Sequence, residues 1–67
     1  MRLNVKYHLF DTTHEMLVSE GERYQIIHID DEVDLDKHEN LKIVSSAIGK
    51  EINRSTSDIK VLGYELI

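Results

Sequence analysis

Apolar and polar side chains alternate over residues 2–10, with Phe10 the one exception, and this alternation constrains the fold more than any other feature of the sequence. The apolar positions are Leu3, Val5, Tyr7 and Leu9, and the polar positions between them are Arg2, Asn4, Lys6 and His8. A period of two in residue types that favour extended backbone is typical of a β-strand with one buried face. We therefore predict a strand over residues 2–10.

Three further strands are predicted at residues 15–19, 22–29 and 58–66. The short polar residues at 11–13 suit a turn after the first strand. Glu20 and Gly21 favour a tight hairpin turn between the second and third strands, because glycine adopts a positive φ without steric cost. The last strand follows a polar break at residues 55–57.

A helix is predicted between the third and last strands. Asp36 and Glu39 have the spacing of a capping box, in which the first residue caps the helix and the second reaches back to it. The apolar residues that follow recur every three or four positions and form one stripe: Leu41, Val44, Ile48 and Ile52. Ile43 lies almost opposite this stripe, with Ala47 one turn on, and is either an ordinary exposed residue or part of a second stripe that contacts a partner.

These elements predict an α+β fold in which residues 1–67 form one domain with the order β-β-β-α-β. The expected architecture is a four-stranded, mostly antiparallel sheet with one helix packed on one face. In it the last strand runs parallel to the first. The core predicted between sheet and helix comprises Leu3, Val5, Leu9, Ile26, Leu41, Val44, Ile48, Ile52, Ile59 and Val61.

The predicted fold leaves more apolar residues than one sheet–helix core can bury. A chain of 67 residues buries only about 60% of the surface that its unfolded state exposes, so small domains often gain stability by oligomerising. We therefore predict a homodimer that forms through the open sheet face or an edge strand. The residues assigned to this interface are Leu62, Tyr64, Leu66, Ile27 and Ile29.

The net charge of −5 is concentrated in one segment, residues 30–39. This segment holds six of the 13 acidic residues and one of the eight Lys and Arg residues, so the rest of the chain sums to zero. An acidic patch argues against direct binding of nucleic acid, which requires basic groups. We assign binding of a basic partner protein to Asp30, Asp31, Glu32, Asp34, Asp36 and Glu39, while a solvated entrance to the helix explains the same acids without a partner.

Catalytic and metal-binding chemistry finds little support in the sequence. The chain has no cysteine, its histidines lack the spacing of a zinc site, and no glycine-rich elbow surrounds a serine. The alternating carboxylates that begin at Asp30 resemble a calcium loop, but Leu35 and Leu41 occupy the positions that require Gly and Glu. We therefore expect no enzyme, no cofactor and no catalytic or metal-ligating residue.

The expected function is that of a small, non-enzymatic, acidic binding protein of the cytoplasm, since neither a membrane span nor a signal peptide is present in the sequence. Its acidic patch would cover a basic surface of a partner, such as a nucleic-acid-binding surface. In size and charge the chain is similar to inhibitors encoded by phages and mobile elements. The alternatives are a self-assembling homodimeric structural or regulatory subunit and, more distantly, a metal-binding protein that uses His28 and neighbouring carboxylates.

Overall fold

In the computed structural model, which describes residues 1–11 and 18–67, three strands form one antiparallel sheet that packs against one helix. The elements are β1 (Arg2–Asp11), β2 (Val18–His28), α1 (Leu41–Ile52) and β3 (Ile59–Leu66). Short 3-10 turns at His38–Asn40 and Thr56–Asp58 flank α1. β1 is central, with β2 on one side and β3 on the other, so each outer strand leaves one edge of the sheet open.

The α+β class is confirmed, but the four-stranded sheet is wrong because β2 is one continuous strand where a hairpin turn was predicted. Gly21 does adopt a positive φ of 93°, yet it lies opposite Leu9 while Ser19 lies opposite Phe10. Glu20 is therefore the extra residue of a β-bulge, a feature that uses the same conformational freedom of glycine as a turn. The predicted turn at 11–13 and strand at 15–19 fall largely outside the described residues.

The loss of one strand also reverses the direction of the last strand. β3 runs antiparallel to β1, with Leu3 opposite Leu66 and Leu9 opposite Ile59. β2 is also antiparallel to β1, and the helical connection makes β3 run parallel to β2 on the far side of β1, so the predicted parallel pairing of the last strand with the first is wrong.

The core lies between the sheet and the buried stripe of α1. Its buried apolar members are Leu3, Val5, Tyr7, Leu9, Ile27, Val44, Ile48 and Ile59. The prediction of Ile26 as a core residue is wrong, because pairing of Leu3 with Ile27 turns Ile27 towards the helix and leaves Ile26 46% exposed. The predicted core residues Leu41, Ile52 and Val61 are only partly buried, and of these Ile52 and Val61 pack against the core.

Both ends of α1 are set by the backbone rather than by a side-chain cap. At its start a 3-10 turn and Asn40 precede Leu41, and no side chain caps the helix. The predicted capping box is therefore wrong. At its end Asn53 adopts the left-handed conformation (φ 57°, ψ 50°), and the N–H groups of Asn53 and Arg54 both donate to the carbonyl of Gly49. This geometry satisfies a carbonyl that the helix itself leaves open.

Arg54 joins the end of the helix to the ends of two strands. Its Nε donates to the carboxylate of Asp58 at 3.2 Å, and its Nη2 donates to the carboxylate of Glu20 at 2.6 Å and to the carbonyl of Phe10 at 3.0 Å. Asp58 is only 3% exposed. The hydrogen bonds that Arg54 donates, first to Glu20 and second to Asp58, raise the pKa of its guanidinium. The bulge in β2 thus has a structural use, because it turns Glu20 towards Arg54.

Candidate functional site

The segment between β2 and α1, residues 30–39, forms an exposed loop that we call the acidic loop. All six of its carboxylate residues are exposed: Asp30, Asp31, Glu32, Asp34, Asp36 and Glu39. Two apolar side chains between them, Val33 and Leu35, are partly buried, and Leu35 packs against the core. The hydroxyl of Tyr64 donates to the Leu35 carbonyl at 3.4 Å. The acidic loop is therefore attached to the body of the domain while its acids face solvent.

The first half of the acidic loop is a turn held by an aspartate. The Asp30 side chain accepts from the N–H of Glu32 at 2.9 Å, and the Asp30 carbonyl accepts from the N–H of Val33 at 3.1 Å. An aspartate that bonds the backbone two residues on is typical of such turns. Asp31, at the tip, contacts the α-amino group of Met1, which lowers the pKa of the Asp31 carboxyl by hydrogen bonding first and by its charge second.

The second half repeats this geometry four residues later. The Asp34 side chain accepts from the N–H of Asp36 at 3.0 Å, and the Asp34 carbonyl accepts from the N–H of Lys37 at 3.3 Å. The side-chain amide of Asn40 donates to the same Asp34 carbonyl at 2.6 Å. The predicted cap residue Asp36 therefore belongs to a turn rather than to the first turn of α1.

Five of the six acids fall into two groups, and the sixth, Asp31, contacts the α-amino group of Met1. Asp30 and Asp34 each commit one carboxylate oxygen to the backbone of the acidic loop. The carboxylates of Glu32, Asp36 and Glu39 have no hydrogen-bond or ion-pair partner within residues 1–11 and 18–67. This second group is free to meet a ligand without breaking a contact that holds the acidic loop.

The arrangement of these acids suits a basic surface better than a single metal ion. Among the described residues, no three His, Cys, Asp or Glu side chains come together in a way that could hold a metal. His28, named in the metal-binding alternative, is exposed at the end of β2 and joins no such group. Clustered charges of one sign act through their summed field, which raises the local concentration of an oppositely charged partner.

The residues predicted to form a dimer interface do not share one surface. Ile27 is only 3% exposed and belongs to the core. Tyr64 lies opposite Val5 and Leu66 opposite Leu3, so both point to the side of the sheet that carries the helix. The remaining two differ in exposure, since Leu62 is 43% exposed and Ile29 is partly buried against the core.

A groove between β2 and α1 is a feature that the sequence only hinted at. It has a volume of about 790 Å³, and its lining includes Ile29, Val33, Ile43 and Ala47. Ile43 is 41% exposed. Ile43, which lies opposite the core stripe of α1, and Ala47 one turn on therefore lie together beside the open edge of β2. A second stripe that contacts a partner would require this arrangement.

No protein-family model, curated protein or solved structure matches this chain. Within the part of the chain that the structure describes, no helix is long and apolar enough to cross a membrane.

Proposed function

We propose that this chain is a non-enzymatic binding protein of the cytoplasm whose acidic loop covers a basic surface of a partner protein. One observation carries the proposal. The acidic loop holds the entire net charge of the chain on exposed side chains, and it is held in shape by two turns and by Leu35, which packs against the core.

A loop that is already ordered loses less conformational entropy when it binds than a flexible tail does. Ordering the backbone of one residue costs about 1–2 kcal/mol, and ordering a side chain at an interface costs about 0.5–1.5 kcal/mol. The turns at Asp30 and Asp34 have met the backbone part of this cost during folding. The same carboxylates on a flexible tail would attract a partner from a distance but would bind it less tightly.

Occlusion is the mechanism that follows from this surface. Single exposed ion pairs contribute about 0–1 kcal/mol, so the acids work by steering and by covering the partner's basic groups. A basic protein surface commonly serves to bind nucleic acid. A partner bound in this way would lose access to its nucleic acid, which is the action of an inhibitor.

The test neutralises acids that leave the turns intact. Immobilised chain captures proteins from a lysate of the native host, and the association rate of the captured protein is then measured against ionic strength. The test variant is Glu32→Gln with Asp36→Asn, and the matched control is Glu51→Gln with Glu65→Gln, which changes the net charge equally elsewhere on the surface. Circular dichroism confirms the fold of both variants.

We expect the acidic-loop variant to associate more slowly and with a weaker salt dependence, because the field that steers the partner is reduced and salt screens it over about 8 Å. The control should retain the wild-type rate. A short nucleic acid duplex should compete with the chain for the captured protein. Equal rates and salt dependences in the two variants would show that the acidic loop is only a solvated entrance to the helix. Simultaneous binding of duplex and chain would refute the covering of a nucleic-acid-binding surface.

A further inference from the structure

Within residues 1–11 and 18–67 no strand pairs with the outer edge of β2, and the backbone hydrogen bonds show which groups this edge presents. Met1 and Ile29 exchange both backbone hydrogen bonds, at 2.7 and 3.0 Å, so they form a hydrogen-bonded pair of the β1–β2 ladder. Hydrogen-bonded and non-hydrogen-bonded pairs alternate along an antiparallel ladder. Between residues 21 and 29, the odd-numbered residues of β2 therefore bond to β1, and the even-numbered residues point their N–H and C=O groups outwards.

Two further contacts agree with this assignment. On the other side of β1, the N–H of Ile67 donates to the carbonyl of Arg2, as expected if the even-numbered residues of β1 face β3. On the open edge, the carbonyl of Ile26 accepts from the side-chain amide of Gln25 at 3.2 Å. This carbonyl is therefore accessible to a donor other than the backbone of β1. The outward groups belong to four residues: Glu22, Tyr24, Ile26 and His28.

We propose that this edge pairs with the same edge of a second copy, which gives a homodimer with a continuous six-stranded antiparallel sheet. The two-fold axis passes through Gln25 of both copies. Tyr24 then lies opposite Ile26 of the second copy, and Glu22 lies opposite its His28. Each of these pairs exchanges both backbone hydrogen bonds.

The side chains explain why this register is preferred. Tyr24 and Ile26 are 63% and 46% exposed in the single chain, and an aromatic residue opposite a β-branched residue is a favourable cross-strand pair. The imidazole of His28 can donate to the carboxylate of Glu22, whose other contact is an exposed ion pair with Lys6 at 3.3 Å. His28 itself has no polar partner among the described residues.

Neighbouring registers lack this complementarity. A two-fold axis at Arg23 would place two guanidinium groups directly opposite, and an axis at Ile26 would bring Glu22 opposite Asp30. Like charges that face each other across strands are destabilising. An axis at Tyr24 leaves the charge of Glu22 opposite Ile26, without a polar partner. Of these four registers, the Gln25 register alone matches the apolar and the polar side chains on the sheet face away from the helix; on the helix face it places Arg23 opposite Ile27.

The dimer would carry its two acidic loops at opposite ends of the paired strands. Asp30 is five residues from Gln25 in each copy, which at about 3.3 Å per residue separates the two acidic loops by about 33 Å. The proposal does not depend on the acidic loop as a binding site, because Glu32 and Asp36 lie outside the pairing. Neutralising those two acids should leave the dimer intact, so the two proposals can fail separately.

The first test measures the mass of the native chain by light scattering at high micromolar concentration, beside two proline variants. Ile26→Pro removes an outward N–H of β2, and Leu66→Pro removes an outward N–H of β3, a substitution that edge strands tolerate. We expect both the native chain and Leu66→Pro to be dimers. For Ile26→Pro we expect a dissociation constant about ten- to a hundredfold higher, because the substitution is present in both copies and removes two hydrogen bonds. A monomeric native chain, or equal dimerisation by both folded variants, overturns the proposal.

The second test reads the register directly and does not depend on a destabilising change. The chain contains no cysteine, so Gln25→Cys introduces one thiol, which meets its own copy at a non-hydrogen-bonded position about 4.5 Å apart between Cα atoms. That spacing permits a disulfide. Under mild oxidation Gln25→Cys should form a covalent dimer much faster than Glu65→Cys on β3. Equal rates of cross-linking would show that the β2 edges do not meet at this register.

Discussion

At Gly49, two general effects of a glycine-to-alanine substitution change the free energy of unfolding in opposite directions. In the interior of an exposed helix, replacing glycine with alanine stabilises by about 0.8–1.0 kcal/mol. Gly49 is buried, however, and a Cβ atom there would lie 2.7 Å from the backbone carbonyl oxygen of Arg54. That separation is shorter than van der Waals contact, so either the helix or the segment after it must move.

The segment after the helix cannot move without breaking other contacts. The N–H of Arg54 donates to the Gly49 carbonyl at 2.9 Å, and the Arg54 side chain is held by Asp58, Glu20 and Phe10. Overpacking of this kind costs about 1–3 kcal/mol, and a weakened cap hydrogen bond adds about 0.5–1.5 kcal/mol. After subtracting the gain in helix propensity, we expect Gly49→Ala to destabilise the fold by about 1–3 kcal/mol.

Urea denaturation followed by circular dichroism measures this change, with two other glycines as controls. Gly63 has open space around the position of a Cβ and no positive φ, so Gly63→Ala should be neutral or stabilise by up to about 1 kcal/mol. Gly21 also has open space but a φ of 93°, so Gly21→Ala should destabilise through backbone strain alone. If Gly49→Ala matches or exceeds the stability of the native chain, the close approach of Arg54 to α1 is incorrect.

Two further substitutions test the core and the end of the helix. Ile48 is fully buried, so Ile48→Ala should cost about 2–5 kcal/mol in the free energy of unfolding and lower the urea midpoint sharply; a midpoint near that of the native chain would contradict the assigned face of α1. Asn53 is left-handed at φ 57°, so Asn53→Ala should cost about 1–2 kcal/mol while Asn53→Gly is neutral or stabilising. Thermal melts that rank Ala at or above Gly would contradict this backbone conformation.

The sequence by itself determined the elements that depend on local periodicity. The alternation over residues 2–10 corresponds to β1, and the stripe of Leu41, Val44, Ile48 and Ile52 corresponds to α1. Both patterns arise because a strand or helix buries one face, so the spacing of apolar residues records the geometry directly. The location of the charge was equally visible, because charge is a property of composition.

Tertiary structure decided every feature that depends on a partner distant in the sequence. A period of two shows that Ile26 and Ile27 point in opposite directions, but only pairing with Leu3 decides which of them is buried. A glycine with positive φ serves a hairpin turn or a β-bulge equally well, and Gly21 serves the bulge because β1 continues to pair on both sides of it. That single difference removed one strand and reversed the direction of β3.

The candidate site shows the same division. The six acids of the acidic loop were found from the sequence. The sequence did not show that Asp30 and Asp34 hold the turns while other acids are left free. Arg54 and Glu20 are 34 residues apart and carry no local signal of their contact. The position of β2 at the edge follows from the strand order β2-β1-β3, so its outward groups could be recognised only after the strand order and hydrogen-bond pattern were known. Local spacing records which faces an element has, whereas the choice of partner for each face is made by the packing of the whole chain.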